Sequence, residues 1–162
     1  MIETLQIIIY EYILGFCLQG FTLVFGIYTF NQQKIVLKDY LSASTLVTII
    51  TYIVRLLPIS FGVHTIIHIL ASIFICITLL KMPAFTTIRS MSIVIVLLLG
   101  SEMIDIAFFM MIMGRERYEN AMHYPLQKAI TAIPANVLFL LLVTLSYYLL
   151  KKKGDSNRKV SS

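Results

Sequence analysis

The chain has 162 residues, of which 59% are hydrophobic and 13% charged, with a mean hydropathy of +0.89 and a formal net charge of +5. Ordinary soluble domains are about 45–50% apolar and about 25% charged, so the composition argues against a water-soluble fold. It leaves little length for a separate catalytic or nucleic-acid-binding module, and the basic balance suits contact with anionic lipid headgroups and loop orientation, with no nucleic-acid signal.

The first apolar run covers residues 5–30, enough to cross a hydrocarbon core of about 30 Å. Glu11, Gln19 and three glycines interrupt it. Glu3 and no Lys or Arg precede the run, and no small-residue cleavage site follows it, so this helix is expected to be retained. A polar connector with Lys34 and Lys38 leads to the second run, residues 40–57, which carries Arg55 near its end. Pro58, Ser60 and Gly62 mark a turn, since Pro lacks a donor and Gly relaxes the backbone.

The third run, residues 63–80, opens with His64 and His68. A connector with Pro83 and two basic residues precedes the fourth, residues 90–113, which holds Glu102 and Asp105. Residues 114–128 form the most polar internal segment. The fifth run, residues 129–150, contains Pro134 and ends in Lys151, Lys152 and Lys153, followed by a polar tail expected to be disordered. No internal repeat or linker divides the chain. The reading is an all-α polytopic bundle of five transmembrane helices, residues 1–150, with a basic cytoplasmic tail at 151–162.

Lys and Arg accumulate on cytoplasmic loops. With the tail inside, nine of the 13 basic residues fall on the cytoplasmic side, and Arg55, Arg115, Arg117 and Lys128 fall outside. Five crossings then place the N-terminus outside, consistent with Glu3. Cys17 and Cys76 lie in apolar runs, where a thiol behaves as a small hydrophobe.

Ionisable side chains within spans cost about 2.5–3.5 kcal/mol each at the helix centre, so each calls for a partner or a role. By helical rise, Arg55, Glu102 and Asp105 occupy similar depths, with the two acids sharing a face at i,i+3. His64 and His68 lie one turn apart on one face, and Glu11 sits near the outer end of the first run. All six fall in the outer half. They form either interhelical clamps, with Arg55 snorkelling to the headgroups, or a pocket in which Arg55 holds the acids ionised and the histidines tune it near neutral pH.

A metal held by His64, His68 and an acid lacks an assured third ligand. His68 and Cys76 are eight residues apart on one helix, about 12 Å, which is too far for a peptidase dyad. Neither a phosphate loop nor a hydrolase motif occurs, so no enzyme, metal or cofactor is expected.

Residues 52–65, YIVRLLPISFGVHT, and residues 97–104, LLLGSEMI, resemble the N-terminal membrane region of Clostridium-type GHKL sensor histidine kinases of Gram-positive bacteria. The resemblance implies roles in sensing for Arg55, Pro58, Phe61, Gly62, His64, Thr65, Gly100 and Glu102. It implies no kinase activity, because neither a phosphoacceptor-histidine helix nor an ATP-binding domain follows Lys153. The expected function is a non-enzymatic bacterial plasma-membrane sensor or signalling module that acts through a histidine kinase, another signalling protein or a second copy of itself. The alternative is a small transporter or a substrate-binding transporter subunit.

Overall fold

The computed structural model describes residues 15–57 and 61–160, and these residues form helices with no strand among them. The helices are α1 (Leu18–Asn31), α2 (Leu37–Leu56), α3 (Phe61–Thr78), α4 (Ala84–Met113), α5 (Arg115–Met122) and α6 (Pro125–Val160). A π-helical turn over residues 15–17 precedes α1. Two segments are long and apolar enough to cross a membrane, Ala84–Met113 and Leu126–Lys153; Thr65–Thr78 is a shorter apolar helix. At about 1.5 Å per residue the 30-residue α4 extends about 45 Å, more than a hydrocarbon core requires.

The breakpoints follow local chemistry. α1 stops where Gln32 turns left-handed at φ 53, its N–H donating to the carbonyl of Thr29 at 3.2 Å while the N–H of Gln33 donates to that of Tyr28 at 3.3 Å. Lys81, at φ 51, turns the chain after α3, and the N–H of Met82 donates to the Cys76 carbonyl. Pro83 caps α4 in an extended conformation, and Pro125 opens α6, where its missing donor costs nothing. Gly114 separates α4 from α5 at φ 81 and ψ 153, a region essentially restricted to glycine.

Three boundaries depart from the sequence reading. α4 begins at Ala84 and absorbs most of the connector placed before residue 90, since nothing after Pro83 breaks a helix. The polar segment 114–128 holds α5 and the first turn of α6. α6 also continues through Val160, so the tail expected to be disordered is drawn into a helix.

α1, α2, α3 and α4 form a ring in which each helix packs on the next and α4 closes on α1. α6 lies against α1 and α4. α2 and α4 therefore stand diagonally. The 32–36 and 79–83 connectors share one end of the bundle, tied by a contact of 3.4 Å from Asn31 Nδ2 to Met82 Sδ. Among the described residues the main apolar cluster sits toward that end. Leu23, Val24 and Ile27 of α1 pack with Val47 of α2, Cys76 of α3, Met91 and Val94 of α4, and Phe139 and Val143 of α6.

Glycine permits the closest approaches. A β-carbon at Gly26 would stand 2.7 Å from Val94 Cγ2 and 3.6 Å from Val143 Cγ2, and one at Gly20 would stand 2.5 Å from Thr48 Oγ1. Small residues bring helix backbones together in this way where water supplies no hydrophobic drive.

The interior is rich in hydroxyls and the exterior is apolar. Ser44, Ser72, Thr87 and Ser101 are fully buried, while Ile66, Leu70 and Phe74 on α3, Val96, Met103 and Met111 on α4, and Leu141, Leu145 and Leu149 on α6 face outward. Most buried hydroxyls donate to a carbonyl one turn back on their own helix, as Thr51 does to Val47 at 2.7 Å and Ser72 to His68 at 2.8 Å. A hydroxyl so satisfied can leave water at little cost. Lys34, Lys38, Lys81, Arg89 and Lys151 to Lys153 are exposed.

Two glycines should separate cleanly in a stability assay. Gly26→Ala forces the Val94 contact apart and should cost about 1–3 kcal/mol, whereas Gly100→Ala, where a β-carbon meets nothing within 4 Å, should be neutral or stabilising by up to about 1 kcal/mol. Thermal unfolding in detergent checks both. Gly114→Ala should cost about 1–3 kcal/mol through backbone strain alone, because no neighbouring atom lies near its β-position; an unchanged midpoint would show that the α4–α5 corner adapts.

Candidate functional site

The end opposite the connectors carries the ionisable residues singled out in the sequence. Arg55 lies in the last turn of α2, while His64, Thr65 and His68 occupy the first turns of α3. Phe61 and Gly62 open α3. Glu11 and Pro58 lie outside the described residues. The α2–α3 turn thus brings the helix positions of Arg55 and His64 to one end. Thr65 and His68 are half-buried, and the His68 carbonyl accepts the Ser72 hydroxyl.

On α4 the two acids differ. Asp105 is 9% exposed and continues the buried stripe of Thr87, Met91, Val94 and Ser101. Glu102, one residue after Ser101, is half-buried and lies to the side of that stripe. Because the Val94 side chain meets the Gly26 position shared with Val143 of α6, Asp105, eleven residues and just over three turns further on, lies on the same face of α4. Glu102 is rotated away from that axis. The diagonal placement of α2 means that any link from the Arg55 position to α4 must cross the ring.

α5 closes over this region. It folds back from Gly114 and packs on both α4 and α6, with Ala121 buried and Tyr118 half-buried. Burial raises the Tyr118 phenol above its ordinary pKa, and the negative charge of Asp105 raises it further, placing the ring within electrostatic reach of that carboxyl. The opposite face of α5 is solvated. There Arg115 Nε donates to Glu119 Oε1 at 2.8 Å, and this exposed bond holds the guanidinium firmly protonated.

Sequence reasoning passed over Ser101, Asn136 and Tyr118. Asn136 is 7% exposed and its Nδ2 makes a long contact of 3.5 Å to the carbonyl of Gly15, in the π-helical turn ahead of α1. It is the one side-chain amide in the fifth apolar run, two residues after Pro134, and that was the available signal. Ser101 and Tyr118 have no such mark, since their importance depends on packing register. Among the described residues no group of three His, Cys, Asp or Glu stands close enough to hold a metal ion. Cys17 and Cys76 are both free thiols.

Comparison with protein-family models, with curated proteins and with solved structures finds no match for the chain.

The Tyr118 environment makes a pH prediction. A phenol whose folded pKa is raised binds its proton more tightly in the folded state, so its stabilising effect is full below the unfolded value near 10 and fades as pH rises through the folded value. Tyr118→Phe should therefore flatten the loss of stability above about pH 10. Equal alkaline slopes for the two proteins would mean that Tyr118 is fully solvated.

Proposed function

We propose that the chain is a five-span bacterial plasma-membrane protein, N-terminus outside and C-terminus cytoplasmic, that senses an external or membrane-borne signal and acts through a partner. The carrying observation is the division of the bundle. The connector end bears Lys34, Lys38, Lys81 and Arg89, while Arg55, His64, His68, Glu102 and Asp105 occupy helix positions toward the other. Basic connectors suit the cytoplasmic side. Ionisable residues toward the outer end and basic connectors at the inner end suit reception at one surface and transmission at the other.

Further support comes from the resemblance of residues 52–65 and 97–104 to the membrane region of GHKL sensor kinases. In that reading Arg55 and Glu102 link the diagonal helices α2 and α4, because a buried charge is costly without a partner. The link makes the outer half responsive, since a ligand that competes for either group shifts the helices relative to one another. The partner is a histidine kinase or another signalling protein, or a second copy of this chain.

Three measurements test the proposal. A cysteine at Glu119 should react with an impermeant reagent in intact cells and one at Gln33 only after the membrane is opened; the reverse pattern inverts the topology. In a double-mutant cycle on thermal stability, Arg55→Leu and Glu102→Leu should be non-additive by about 0.5–3 kcal/mol. Strict additivity would leave Arg55 at the headgroups and remove the link. Purification from mild detergent should bring down a kinase or response-regulator-coupled chain. Recovery of transport ATPase subunits instead would replace sensing by transport.

A further inference from the structure

The connector end of the bundle is strongly basic. Lys34 and Lys38 flank the start of α2, Lys81 and Arg89 flank the start of α4, and Lys151 to Lys153 close the apolar part of α6; all seven are exposed. Against them residues 31–40, 79–90 and 147–153 hold one carboxylate, Asp39, which lies in the first turn of α2, where the helix end already attracts it.

These cations stand at similar heights. Gly26 of α1 meets Val143 of α6, and Phe25 packs on Tyr147 with ring centroids 5.6 Å apart, so the two helices run side by side toward the same end. Five residues take α1 from Gly26 to its end at Asn31 and eight take α6 from Val143 to Lys151, a difference of about 5 Å. The connectors are tied at that level. Asn31 Nδ2 meets Met82 Sδ at 3.4 Å, and Met82 is buried, so Lys81 stands beside an anchored residue with its own backbone at φ 51. Lys151 is oriented too, its Nζ 5.9 Å from the centre of the Tyr147 ring.

Apolar side chains are exposed between the cations. Leu37, between Lys34 and Lys38, is 67% exposed, and Phe85, between Lys81 and Arg89, is 81% exposed. Tyr148, ahead of Lys151, is exposed as well. Connectors solvated by water would carry polar side chains there. Apolar side chains interleaved with cations suit segments lying in a bilayer interface, where Lys and Arg run their stems along hydrocarbon and lift their charges to the headgroups.

The arrangement also selects between a lipid surface and an acidic protein. α2 and α4 stand diagonally in the ring and α6 lies against α1 and α4, so the cations are spread around the end and do not gather on one side. A docked protein covers one face, whereas a leaflet meets the whole perimeter.

We propose that the connector end binds a membrane surface rich in anionic phospholipid, whose phosphates the cations of α2, α4 and α6 share, and that this contact stabilises the bundle by holding the three helix ends together. It requires a membrane setting, but neither the sensing reading nor a particular side of the membrane for this end.

Thermal unfolding of the full chain in detergent micelles tests it, with phosphatidylglycerol against phosphatidylcholine added at equal mole fraction. Phosphatidylglycerol should raise the midpoint saturably, by about 5 °C over phosphatidylcholine at low salt. NaCl at about 1 M, where the Debye length falls to about 3 Å, should remove most of that difference. Lys34→Gln, Lys38→Gln, Lys81→Gln and Arg89→Gln together should more than halve it, whereas Arg115→Gln, Arg117→Gln and Lys128→Gln together should leave it intact. Equal midpoints for the unmodified protein in the two lipids would overturn the proposal without recourse to any variant. So would a full response that survives the connector substitutions, or one lost with the second set. Equal stabilisation by soluble glycerol phosphate would show that the phosphate suffices without a lipid surface, and would also overturn it. An acidic chain that co-purifies in mild detergent and is lost with the connector substitutions, with no response to phosphatidylglycerol, would assign this end to a protein instead.

Discussion

The close approach of α1 to α4 and α6 at Gly26 is the constraint on which the rest of the bundle depends. With no β-carbon at that position, Val94 and Val143 pack directly against the α1 backbone. Valine is stiff at χ1, so the contact tolerates little sliding. That single level sets the register of three helices at once. It turns Asp105 inward and brings Gly15 within reach of the Asn136 amide. A second close approach, Gly20 on Thr48, draws α2 to the same central helix.

Satisfying polar groups without water shapes everything around this contact. Most buried hydroxyls turn back to carbonyls of their own helices, so the interior holds these serines and threonines without needing partners across the interface, although Thr22 and Ser44 make no such bond. The outward faces of α3, α4 and α6 are lined with Ile, Leu, Val, Met and Phe. In water, so many exposed apolar side chains would be an aggregation hazard, whereas in hydrocarbon they are the proper solvent-facing surface. Among the described residues, the two helices long and apolar enough to cross a membrane, α4 and α6, share the most extensive interface.

The ionisable residues of the spans gather toward the end away from the basic connectors, and there the two acids of α4 part. Glu102 leans off the buried stripe of α4, in the proposal toward Arg55 across the ring. Asp105 looks toward α6, beneath Tyr118. Two carboxylates only three residues apart thus serve different neighbours, because three residues on a helix turn the side chain through about 300°. α5 connects the two long helices and shields the Asp105 side, its charged residues outward and Ala121 inward.

Much of this was legible in the amino-acid order, since the signals are local. Long apolar stretches marked the helices, and Pro83 and Gly114 marked boundaries; the spacing of Glu102 and Asp105 suggested a shared face, whereas the structure buries Asp105 and leaves Glu102 half-buried to its side. The helical character of residues 114–128 was not legible, because a short polar helix is stable only through packing on α4 and α6. Nor was the start of α4 at Ala84, where the basic residue Arg89 reads as a connector but a surface-exposed helix turn accommodates it. The tertiary structure alone decided which helices are neighbours: that α1 is central among the described helices, that α2 and α4 stand diagonally, and that the Asn136 amide meets the Gly15 carbonyl ahead of α1. Sequence spacing specifies which residues share a face of one helix, but which helix that face meets depends on where backbones approach most closely, and here the packing at Gly26 decides it.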